Sequence, residues 1–69
     1  MTTVYSLDDQ IDEVERELRM RARVYSQRMA LGVMKPADAA HHMQRMEAVL
    51  RTLQALRDQR EPQLFGVAT

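Results

Sequence analysis

A chain of 69 residues can form one small domain, and a core of that size is marginal without a disulfide, a metal or a second subunit. It has no cysteine, which excludes a disulfide and a thiolate metal site and leaves self-association as the expected support. Ten Lys and Arg balance ten Asp and Glu, so net charge gives no overall pull toward nucleic acid or membrane, and no run is apolar enough for a membrane span or a secretory leader.

The residue mix, poor in Gly, Pro and aromatic side chains, suits helices. A first helix is expected over about 7–32. Ser6 with Asp9 three residues on resembles a capping box, with Asp in place of the usual Glu. Leu7, Ile11, Val14, Leu18, Ala22, Tyr25 and Met29 advance by alternating steps of four and three. At 100° per residue they fall in one stripe. Gly32 can adopt the left-handed conformation that closes a helix.

A connection of about three residues leads to a second helix expected over about 36–60. Pro36 suits the first turn, where a missing N–H costs nothing, and Asp38 supports that start. Met43, Met46, Val49, Leu50, Leu53 and Leu56 form the apolar side, and Pro62 stops the helix. A short apolar tail, PQLFGVAT, follows. So short a connection predicts an antiparallel all-α hairpin, one domain over residues 1–69. The second stripe runs from Met43 and Leu50 round to Val49 and Leu56, wider than one partner helix covers. Two hairpins packed as a four-helix bundle would bury the rest, so a homodimer is expected.

Charge is unevenly placed along the first helix. Asp8, Asp9, Asp12, Glu13, Glu15 and Glu17 come first; Arg19, Arg21, Arg23, Arg28 and Lys35 follow with no acid between them. This order suits the helix dipole. Met20, Val24 and Leu31 point roughly away from the main stripe. Coverage by a dimer partner is the preferred reading of this second stripe, and a docking surface for another protein is the functional one. Arginine beside methionine and tyrosine is a mixture enriched at protein interfaces. The arginines divide between flanks, which argues against nucleic acid as a partner.

His41 and His42 diverge by 100° on a helix, and Asp38 with His42 supplies two ligands where a closed site needs more, so no metal is expected. No nucleophile and base fall together. Neither an enzyme nor a cofactor is expected.

The segments around Met20, Arg21, Arg23, Val24, Tyr25, Ala30, Gly32, Met34, Ala39, Met46, Glu47 and Ala48 match in register the approximate pattern MRRRVYPRWVxxGRMTxxEAxxxIxxMEAI. Over most of residues 16 to 53 the chain therefore resembles small phage- and prophage-encoded helical proteins. Ser26, Arg28 and Lys35 depart from the pattern, standing where it has proline, tryptophan and a threonine cap. Length and hairpin are also similar to those of the quorum-sensing anti-activators of Mu-like Pseudomonas phages. That resemblance implies a homodimer in the cytoplasm of a bacterial host. It further implies binding to a LuxR-type regulator such as LasR, blocking its DNA contact, and to the type IV pilus assembly ATPase, PilB. The expected binding residues are Asp8, Asp12, Glu15 and Glu17, facing a basic DNA-reading surface, and Met20, Arg21, Val24, Arg28 and Leu31 as anchors. A small DNA-binding phage regulator and a structural accessory protein are the alternatives.

Overall fold

The computed structural model describes residues 4–60 and shows two helices, α1 (Leu7–Ala30) and α2 (Pro36–Arg60), with no strand among the described residues. α1 starts as its sequence dictates. Ser6 is extended, and its hydroxyl accepts the Asp9 N–H at 3.0 Å, satisfying one of the four donors that a helix start leaves free. Asp9 makes no return contact to the Ser6 N–H among the described residues; Gln10 Nε2 instead donates to the Tyr5 carbonyl at 3.0 Å.

α1 ends at Ala30, two residues before the expected stop. Gly32 does take a positive φ of 75°. The Gly32 N–H donates to the Met29 carbonyl and the Val33 N–H to the Arg28 carbonyl, both at 3.0 Å. This paired closure consumes Leu31 and Gly32 as the cap itself, which is why the last helical residue precedes them. The connection is therefore longer than expected, spanning 31–35. α2 opens at Pro36 as expected, and the Ala39 N–H donates to the Lys35 carbonyl at 3.1 Å. Lys35 thus occupies the capping position of α2 with a side chain that has no acceptor.

The helices run antiparallel and pack on each other. Arg57 Nη1 donates to Asp8 Oδ1 at 3.0 Å at one end, and the Tyr25 and His42 rings lie 6.1 Å apart toward the other. Among the described residues only Ile11 and Ala39 are buried, at 3% and 5% exposure. Leu7, Val14, Leu18, Tyr25 and Met29 on α1, and Met43, Met46, Leu50 and Leu53 on α2, are half-buried along the seam. Ala22, expected on the same stripe, is exposed. Val49 and Leu56 stay 47% and 42% exposed. The cause is geometric: two helices touch along one line, so residues on the edge of a wide stripe have nothing opposite them. Neither helix is long and apolar enough to cross a membrane. The expected stop at Pro62 and the apolar tail fall outside the described residues.

Candidate functional site

Around α1, Glu17, Met20, Arg21, Val24, Arg28 and Leu31 lie on one side and the edge next to it, by the 100° count. Met20 and Val24 are each 40% exposed and Leu31 is 76% exposed. Arg21 is the most constrained of the set. Its Nε donates to Glu17 Oε1 at 2.8 Å and its Nη1 approaches the Tyr25 hydroxyl at 3.5 Å. The hydrogen bond with Glu17 holds its guanidinium above the ordinary arginine range, with the Tyr25 hydroxyl adding to the effect against partial burial. Both partners of Arg21 lie on α1, whereas Arg28 is exposed and forms no ion pair among the described residues. On the outer edge Arg16 Nη1 lies 3.4 Å from the Met20 sulfur while its Nη2 pairs with Glu13 at 3.0 Å. Glu13 likewise holds the Arg16 guanidinium above its ordinary range, through the hydrogen bond first and charge second.

The acids expected to act together are divided. Glu17 shares the arginine side. Asp8, Asp12 and Glu15 fall on the opposite flank, and Asp8 is tied to Arg57. Asp12 and Glu15 form no ion pair among the described residues.

α2 contributes more than its sequence suggested. Arg21 shares an open depression with His42, Arg45, Met46 and Val49, so the arginine edge of α1 and the exposed edge of α2 form one broad face. Arg28 and His42 meet again toward the connection, beside Lys35 and Asp38. On the reverse face, Ala22, Tyr25, Met29, Pro36, Ala40 and Met43 line a shallow, almost wholly apolar patch. The signal for it was present in the small residues Ala22, Ala39 and Ala40.

No family model, no curated protein and no solved structure matches this chain. The surface must be read from its own chemistry. His41 and His42 have ring centres 6.1 Å apart, and among the described residues no three His, Asp or Glu side chains converge as a metal site would require. The depressions are open, and no polar side-chain atom is buried without a partner among the described residues. What the surface offers is large apolar side chains set among arginines. It suits adhesion to another protein.

Proposed function

We propose that this chain works without chemistry, as a homodimeric four-helix bundle that holds host proteins on its outer surface. The observation that carries the reading is the exposure of Met20, Val24, Leu31, Val49 and Leu56 on a hairpin that buries two side chains among the described residues. Isolated exposed apolar residues need no explanation, but five on one small hairpin, interleaved with arginines, favour an interaction surface. The resemblance to phage proteins supports the target. The chain acts in the cytoplasm of a bacterial host on a LuxR-type quorum-sensing regulator, and on the type IV pilus assembly ATPase as a second target.

On the regulator, the chain competes with DNA for the DNA-reading surface. Asp12 and Glu15 have no ion-pair partner among the described residues and are available to a basic surface, where they speed encounter and fix orientation. Met20 and Leu31, on the outer edge of α1, supply apolar anchors.

A mobility-shift assay tests this. Adding the chain to a regulator–operator complex should release the DNA, and size exclusion should find the chain with the regulator. Replacing Met20 and Leu31 together by Asp should weaken that complex about tenfold or more, as loss of an anchor typically does. Helicity should be unchanged, because both side chains are exposed. Release without a protein–protein complex, or retention of DNA by the chain itself, would overturn the competitive mechanism.

A further inference from the structure

The broad face shared by the two helices has an internal symmetry. The contact of Tyr25 with His42 fixes the level of α2 against α1. Val49 lies seven residues beyond His42, level with about residue 18 of α1. Val24 is then about 9 Å from that level toward the connection, and Leu56 about 10 Å from it toward the termini, at 1.5 Å per residue. All three are exposed, and Val49 sits midway between the other two along the hairpin.

We infer that this face binds a second copy of the chain antiparallel, with Val49 near the two-fold axis and the two connections at opposite ends of the bundle. The inference rests on the homodimer proposed above and deepens it by assigning its face and orientation. A two-fold axis across the helices at the level of Val49 sets that residue beside its own copy. The same operation brings Leu56 of one copy to the level of Val24 of the other. A self-complementary patch of this kind is what an isologous interface requires.

Charge selects the orientation. Among the described residues, the half of the hairpin nearer the connection holds six cations, Arg19, Arg21, Arg23, Arg28, Lys35 and Arg45, against Asp38 and Glu47. The half nearer the termini holds seven acids, six of them between Asp8 and Glu17, against four arginines. The halves thus carry net charges of +4 and −3, with histidines neutral. Copies with their connections side by side would stack like on like. On the shared face itself, antiparallel copies set Arg21 and Arg45 of each near the level of Glu13 and Glu17 of the other. Facing helices lie about 8–10 Å apart, within the ~8–10 Å over which charges are felt at physiological salt, so the difference survives screening.

The area is sufficient. Two helices side by side, about 37 Å long and about 20 Å across, present roughly 700 Å² on one face. A stable dimer buries about 800 Å² per partner, close to that figure.

The chain has no cysteine, so single cysteines can be placed freely. Val33→Cys carries a spin label at the exposed connection, and pulsed dipolar spectroscopy reads the distance between the labels of two copies. The antiparallel dimer should give about 40 Å, from some 28 residues of axial separation at 1.5 Å each. Val49→Cys should form a disulfide-linked dimer on mild oxidation, and Val49→Asp should halve the mass in solution while circular dichroism stays helical. Raising the salt should weaken the dimer. Labels within about 25 Å on a dimer would overturn the orientation and leave the homodimer standing. A Val49→Asp protein of unchanged dimer mass, with no cross-link at Val49→Cys, would overturn the face. A monomeric parent chain would overturn the homodimer itself, and this inference with it.

Discussion

Ile11 is the side chain on which the hairpin most depends, and truncating it should cost the chain a large part of its stability. It is 3% exposed, the most buried large side chain among the described residues, and it lies in the half of the seam that Ala39 does not reach. Buried Ile→Ala changes cost about 2–5 kcal/mol. The lower part of that range applies, because two helices with few layers between them can close partly over the space, so about 2–3 kcal/mol is expected. A chain of this length has about 3–10 kcal/mol in total. At about 4–8 °C per kcal/mol, Ile11→Ala should lower the melting temperature by roughly 10–20 °C. Thermal melts by circular dichroism should be run at one fixed chain concentration, because association contributes to apparent stability. Leu31→Ala, at a 76% exposed position, is the control and should change stability by less than about 0.5 kcal/mol. Equal melting temperatures for the two variants would refute the assignment of the seam.

Other outcomes follow from the helix ends and the charges. Ser6→Ala removes the acceptor for the Asp9 N–H and should cost about 1 kcal/mol in chemical denaturation. Gly32→Ala meets open space, so its whole cost is the left-handed backbone, about 1–2 kcal/mol, and a neutral result would contradict the cap described here. Lys35→Asp should stabilise the chain by about 1 kcal/mol by giving α2 the capping acceptor it lacks. Leu50→Asp places a charge on the half-buried seam and should abolish both assembly and most helicity, read by light scattering and circular dichroism. Arg16 and Arg21 have folded pKa values raised above their ordinary one. Their contribution is complete below the unfolded value and is lost only as pH rises through the folded one, so neither should produce a stability transition between about pH 5 and 9.

Most of the hairpin was legible because its signals are local. Ser6, Gly32 and Pro36 each act through their own backbone, and all three stand where the sequence places them. The seam followed from periodicity, since Leu7 to Met29 keep one direction along α1. Ala22 escaped that rule because a methyl group at the stripe's edge is too short to reach α2. The candidate surface was half legible. One helix's pattern shows that Met20, Val24 and Leu31 face away from the main stripe. It does not show that Val49, His42 and Arg45 of α2 will stand beside Arg21, because that depends on the rotation of one helix against the other. Asp8, Asp12 and Glu15 share with Glu17 only nearness in the chain, and the 100° count along α1 sets them on opposite flanks. Lys35 in a capping position was visible as a missing acceptor.

The central claim is that a hairpin burying so little of itself is built to be covered by protein, first by a second copy. Size exclusion with multi-angle light scattering at micromolar concentration measures this directly. The mass should be about twice the 8.0 kDa of one chain, with a helical circular dichroism spectrum. A mass of 8.0 kDa for the unaltered chain that persists as concentration rises would contradict the account.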